Sequence, residues 1–356
     1  MKRYIALAAL LGILMCLLSG CGLWMDGERI YLEPHQQQGS TGEKTVVAVN
    51  SFVQMQNALL ALVEEGSEAA VFSVADFYGG SVHFYLDNAI RLVQESSPMG
   101  AYAVENITYE VGTNAGEAAI ALKIKYRFER DRILRVGKAS NMDEALRFIG
   151  DALDACESYV AVRVPSYEEK DLVQWVRDYA AENPHIVMEV PSVYATTYPE
   201  TGDERIIELS FTYQTSRESL LNMQQLVEPV FTSAELYVRN ASQTRGKYVQ
   251  LYAFLMERSD YRIETSITPA YSLLNHGVGD NKAFATVYAA MCRQAGLACT
   301  VISGTRDGEP WTWNLIKIGS NYYHLDLLRS VENGDFTLLL QSQLAGYVWD
   351  YSAYPN

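Results

Sequence analysis

The side chains able to do covalent or proton-transfer chemistry are few and far apart. The 356 residues hold five cysteines, at 16, 21, 156, 292 and 299, and five histidines. A thiol attacks only as thiolate, and a thiolate forms near neutral pH when a helix N-terminus or an imidazolium lowers the thiol pKa. A base within hydrogen-bond reach and a third group to orient that base complete such a centre. Cys292 falls inside a predicted helix and Cys299 on the strand that follows. Both read as small buried hydrophobes, or alternatively as a bridged pair. With Cys156 they make an odd set of three, so at least one thiol stays free or bridges another molecule. An enzyme built from these groups would draw on Cys292 or Cys299 with His276 or His324, and would cleave a peptide or amide. There is no His-Glu-x-x-His, no Walker loop, no dinucleotide fingerprint and no paired Cys-x-x-Cys, so neither a metal nor a cofactor is expected.

The stretch from Ala270 to Leu328 contains the elements that would position a centre. Gly277 and Gly279 interrupt any preceding element, and Asp280 is placed to cap a helix. Phe284, Val287, Tyr288 and Met291 recur at the spacing of an amphipathic helix. Gly296 stops that helix in the left-handed conformation. A short strand, Ala298 to Ser303, follows. Two more, Thr312 to Ile318 and Asn321 to Leu327, flank Gly319-Ser320, which suits a two-residue hairpin turn.

Within this stretch stand Gly277-Val278-Gly279, Ala295-Gly296, Trp311-Thr312-Trp313-Asn314 and Tyr322-Tyr323-His324-Leu325-Asp326. The set resembles the transglutaminase-like superfamily, whose fold is related to papain-type cysteine peptidases. Its pattern is Gly-Val-Cys at a helix start, Ala-Gly near the helix end, then His-Ala-Trp-Asn and Trp-Tyr-His-x-Asp on two strands. The resemblance covers about the last 110 residues, from roughly Arg245. The frame agrees; the chemistry departs. The nucleophile position is Gly279, the histidine position is Trp311, and only the third member, Asp326, remains. Glycine supplies no nucleophile, tryptophan supplies no base, and an isolated aspartate has nothing to orient. The resemblance with its departures therefore implies a pseudoenzyme.

Around this vestigial centre, Asp280 reads as a helix cap that could also face a ligand. Trp313 matches the family's core tryptophan and His324 a framework position. Trp311 would either plug the cleft or stack on a ligand. His276 lies beside the lost cysteine position and is the imidazole nearest to it in sequence.

The N-terminus has Lys2 and Arg3, then an apolar run from Tyr4 to Leu18 that is too short to span a bilayer. Leu18-Ser19-Gly20-Cys21 resembles the lipobox of bacterial lipoproteins. This implies cleavage before Cys21, lipidation of its thiol, and a protein held on the extracytoplasmic face of the cell membrane. Stable attachment needs two acyl chains. Residues 1–20 are then the signal peptide and 21–44 a polar tether, in which His35 has no second ligand to share a metal.

Between the tether and residue 216 the sequence reads as an internal repeat. Gly116 to Tyr126 lines up with Asp203 to Tyr213 at an offset of about 87, counted from Glu117 and Glu204. Each copy is expected to run helix, strand, helix and two closing strands: Ser51 to Glu65, Ala69 to Phe77, Tyr85 to Glu95, Ala101 to Val111 and Ala118 to Phe128 in the first. The second has Asp143 to Ala155, Tyr159 to Tyr167, Lys170 to Glu182, Val187 to Thr197 and Arg205 to Thr215. Ile120, Leu122 and Ile124 should face inward and Ala121, Lys123 and Lys125 outward. The expected fold class is α+β: two tandem α+β units, residues 45–135 and 136–216, then a transglutaminase-like, papain-related α+β domain over 217–356 with a leading helical segment.

A net charge of -15 argues against nucleic acid as a partner. The expected function is that of a membrane-anchored binding or scaffolding module for a peptide, cell-wall or envelope-protein ligand, with the cysteine-dependent peptidase or amidase as the alternative.

Overall fold

The computed structural model describes residues 46–77, 80–239, 241–263 and 266–354. The readings that concern the leader, Cys21 and the tether lie outside the described residues. Among the described residues no helix is long and apolar enough to cross a membrane.

The first α+β unit runs β1 (Val46–Ala48), α1 (Phe52–Glu64), β2 (Ala69–Ser73), α2 (Val82–Ser96), α3 (Pro98–Ala103), β3 (Val104–Asn114) and β4 (Glu117–Tyr126). Its sheet has the order β1-β2-β4-β3, with β1 and β2 parallel and the other pairs antiparallel. Ile120, Leu122 and Ile124 are buried against Leu59, Leu86 and Val93 of the helices, while Ala121, Lys123 and Lys125 face solvent. The strand expected from Ala101 starts later, at Val104. Ser97 and Pro98 nucleate a short helix instead: Pro98 stands in its first turn and Ser97 Oγ accepts from Gly100 N at 3.0 Å.

After α4 (Arg130–Leu134), the second unit runs β5 (Gly137–Lys138), α5 (Met142–Asp154), β6 (Tyr159–Val164), α6 (Leu172–Glu182), β7 (Ser192–Tyr198) and β8 (Arg205–Thr212). Its sheet order is β5-β6-β8-β7, with the same strand senses as the first. The strand expected from Val187 begins only at Ser192. The buried Glu189 carboxylate bonds Gln214 N at 2.6 Å and Thr215 N at 3.0 Å, so that segment is held by a side chain rather than by the ladder. The two units are joined through the second sheet's outer face. Ala161 and Ile206 of that face are buried in the first unit's core, and Arg132 reaches Glu208 at 2.6 Å.

The C-terminal part begins with α7 (Arg217–Val238) and α8 (Thr244–Met256). Then come β9 (Asp260–Tyr261), α9 (Pro269–His276), β10 (Val278–Gly279) and α10 (Asn281–Gln294). The chain continues as β11 (Cys299–Arg306), β12 (Glu309–Ile318), β13 (Asn321–Leu325), α11 (Leu327–Glu332) and β14 (Tyr347–Trp349). The sheet order is β13-β12-β11-β14, antiparallel throughout. Helix α10 is buried on every side from Ala283 to Cys292, not on one stripe. Alanines at 283, 285, 289 and 290 admit close neighbours, so α7, α8 and the sheet all pack on it. The hairpin turns at Gly319-Ser320 as expected, with Ile318 paired to Asn321.

Candidate functional site

The centre is assembled from the N-terminus of α10 and the β12–β13 hairpin. Gly277 ends α9 at φ +68, and a Cβ there would lie 2.6 Å from Arg258 O, so both conformation and space require glycine. The backbone of 277–279 is held by Asp260 N donating to Gly277 O at 2.7 Å and Arg262 N to Gly279 O at 2.9 Å. Gly279 is buried. A Cβ at that position would meet Ala283 Cβ and Leu273 Cδ1, each at 3.2 Å. The cavity beside it measures about 10 Å³, around the minimum for one water. Asp280 caps α10, its Oδ1 accepting from Ala283 N at 2.7 Å.

Asp326 follows β13 as the N-cap of α11. Its Oδ1 accepts from Leu328 N and Arg329 N, each at 3.1 Å. Its Oδ2 accepts from Trp311 Nε1 at 2.8 Å and from the Tyr347 hydroxyl at 2.6 Å, and the Arg306 guanidinium stands 3.5 Å away. The expectation that this carboxylate has nothing to orient is therefore corrected: it orients an indole. The hydrogen bond is the one a catalytic imidazole N–H would donate, but an indole nitrogen is a donor only and offers no basic lone pair. Burial, and then Asp326 itself, pushes the Tyr347 phenol up. Trp311 is half-buried, with Arg306 5.3 Å over its ring and Tyr261 at 6.2 Å between ring centroids. Asp326 thus holds the indole in place while part of its surface stays exposed.

Trp313 and His324 are core residues. Trp313 Nε1 donates to His324 Nδ1 at 3.0 Å, which fixes the neutral imidazole with its proton on Nε2. Burial lowers the His324 pKa to about 4. The Trp313 ring sits edge-on to Tyr347 and Trp349. Asn314 is wholly buried; its Nδ2 donates to Ala285 O at 2.9 Å, tying the hairpin to α10.

The remaining thiols and imidazoles are not brought together, although Cys292 and Cys299 are neighbours. Cys156, Cys292 and Cys299 are buried and free. Burial, and then the neighbouring Cys299, pushes the Cys292 thiol well up; burial raises Cys156 too. A thiol so shifted is a poor nucleophile. Among the described residues no hydrogen bond joins any of these thiols to an imidazole. His276 is exposed, edge-on to Tyr271 at 5.1 Å, and borders a cavity of about 210 Å³ with Arg258 and Val230. Among the described residues no hydrogen bond joins it to Asp326.

Sequence reasoning missed Tyr347 and Arg306 as partners of Asp326. They lie 21 and 20 residues away along the chain, and no local spacing marks them. The aromatic closing segment was legible only as packing.

Residues 232–349 match a family model described as the transglutaminase-like superfamily. Among solved structures, similarity extends to a TGase at 12% identity over 54% of this chain and 58% of that one, with a TM-score of 0.27. A candidate cysteine protease from Cytophaga hutchinsonii is 13% identical over 44% of this chain and 70% of its own, with a TM-score of 0.26. A candidate protease from Parabacteroides distasonis is 8% identical over 72% and 39%, with a TM-score of 0.24. This chain thus spans little more than half the length of the first of these. No curated protein matches the sequence.

Proposed function

We propose, from the premise that residues 232–349 form a transglutaminase-like domain, that this domain is a non-catalytic binding or scaffolding module. In this reading the whole chain is a lipoprotein held on the extracytoplasmic face of a membrane through Cys21. Its ligand is a peptide, a cell-wall component or another envelope protein. The observation that carries the reading is the Trp311–Asp326 hydrogen bond, since the third member of the centre is spent on a group without acid–base chemistry. Gly279 and the small cavity beside it add that the nucleophile's place is empty of sulfur and nearly empty of space.

The alternative, cysteine-dependent peptide or amide cleavage, must draw on buried thiols, and burial raises the pKa of Cys156 and Cys292. Thiol labelling of the native protein separates the two. The expected result is slow modification of Cys156, Cys292 and Cys299, becoming complete on unfolding, with no turnover of glutamine-containing peptides. One rapidly labelled thiol, with turnover lost on its replacement by serine, would establish the enzyme instead. Incorporation of labelled fatty acid into the wild type and not into Cys21→Ser tests the anchor separately.

A further inference from the structure

The two α+β units differ at one place in a way their shared fold does not require. Arg130 Nε donates to Glu65 O at 3.0 Å, where α1 ends and α4 begins. In the second unit Arg217 Nε makes the corresponding bond to Ala155 O at 3.0 Å, where α5 ends and α7 begins. The correspondence continues outward: Lys125, Arg127 and Arg132 stand where the second unit has Thr212, Gln214 and Ser219. The same local fold forms in the second unit with one of these four cations.

The charges are also treated differently. Arg217 pairs with Glu157 at 3.0 Å, and the position equivalent to Glu157 in the first unit is Ser67. Arg127 Nη1 is pinned to Ala101 O and Tyr102 O at 2.6 and 3.2 Å, a geometry that orients the guanidinium and neutralises nothing. Among the described residues neither Arg127 nor Arg130 has a carboxylate within ion-pair distance. Lys125 and Arg132 are paired, with Glu105 and Glu208.

The space differs as well. In the second unit α7 runs on for 22 residues and lays Leu220 and Val227 against Cys156. In the first unit α4 stops after 5 residues. A groove of about 640 Å³ stays open there, lined by Lys125, Arg127, Arg130 and Arg132, with Glu68 and Glu129 among them and with Gly66, the counterpart of Cys156, at its floor. The stretch 123–138 around it holds seven Lys or Arg against two acids, in a chain of net charge -15.

We infer that this groove is a binding site for phosphate-bearing anions. Two oriented guanidinium forks without counter-ions match the charge and planar geometry of phosphate oxygens. The two acids in the lining disfavour a single small anion. A chain of phosphates, by contrast, can pass along the lining from Arg127 and Arg130 to Lys125, whose pair with Glu105 is open to solvent. This inference does not depend on the reading of the transglutaminase-like centre.

Calorimetric titration with inorganic tripolyphosphate tests it. Binding is expected at 50 mM salt, weakening about tenfold or more by 200 mM, as several phosphate contacts require. Arg127→Gln with Arg130→Gln should reduce affinity about tenfold. Because those side chains also hold backbone carbonyls, a second variant, Lys125→Gln, keeps the test intact; it should lower affinity about threefold and flatten the salt dependence. Flotation with phosphatidylglycerol or phosphatidylcholine vesicles tells the source. Variant-sensitive binding to phosphatidylglycerol points to lipid headgroups, and binding of tripolyphosphate alone points to a soluble phosphate. Absence of binding to both, or affinities within twofold of wild type in both variants, overturns the site.

Discussion

Two sheets of the same strand order meet opposite fates in this molecule. The outer face of the first carries Ala69, Ala121 and Lys123 exposed to solvent, around the buried Val71 and Ala119. The outer face of the second carries Tyr159, Ala161, Ile206 and Glu208 and is packed on the first unit. Register sets the counterparts: Ser73 pairs with Ala119 as Arg163 pairs with Ile206, so the small Ala119 stands where the second face has Ile206. Strand order and an inward apolar face build each unit, whereas a few outward residues decide which sheet face docks on its neighbour. The same holds on the other side of each unit, where a helix of 5 residues leaves a groove and one of 22 residues fills it.

The strongest way to break this comparison is to cut the docking face. Ile206→Ala removes a fully buried side chain from the joint between units. It is expected to cost about 3–4 kcal/mol, the range for large-to-small substitutions in a core. Urea denaturation read by circular dichroism measures it, and a loss under 1 kcal/mol would mean that the units are not energetically joined.

Acid should act on a different region and leave the joint in place. His324 is held neutral, with its pKa lowered to about 4 by burial, while the unfolded chain titrates near 6.5. Between those values the unfolded state binds the extra proton, so stability is full above about pH 6.5 and falls as the pH drops toward 4. The loss should reach on the order of 3 kcal/mol at pH 4, from about 1.4 kcal/mol per unit. Fluorescence of the tryptophans near His324 should report unfolding at pH 5 before circular dichroism loses the two N-terminal sheets. His324→Gln should flatten that dependence.

The charged part of the joint is smaller. Arg132 sits 4.0 Å over the Phe128 ring and 4.4 Å over Tyr159 and pairs with Glu208, which is nearly buried. Arg132→Ala should cost about 2 kcal/mol by stranding that carboxylate, and the double change with Glu208→Ala should cost less than the sum of the single ones. Strict additivity would show the pair to be incidental.

The smallest test compares the helix ends. Gly66 at φ +65 and Cys156 at φ +51 close α1 and α5 in the same way. Gly66→Ala should cost about 1–2 kcal/mol in backbone strain, and its Cβ would also meet Arg130 Cγ at 3.0 Å. Cys156→Gly relieves similar strain but removes a buried thiol from the cluster with Leu220 and Val227. The two terms oppose, so a change within about 0.5 kcal/mol is expected. Thermal melts of the two variants give the comparison.

Periodicity and punctuation in the sequence marked the main helices and strands of both units, though not α3, α4 or β5, and with them the cap at Asp280, the left-handed Gly296 and the turn at Gly319-Ser320. These are local properties: a side chain reaching its own backbone, or a φ that only certain residues tolerate, needs no knowledge of the rest of the chain. The residue types at 279, 311 and 326 were legible for the same reason. Tertiary structure alone decided that Trp311 donates to Asp326, that Tyr347 and Arg306 close around it, that α10 is buried on all sides, and that one sheet face docks while the ends of its counterpart stay exposed. Each of those contacts joins residues many positions apart. Its energy depends on a distance that the fold sets and that no spacing along the chain encodes.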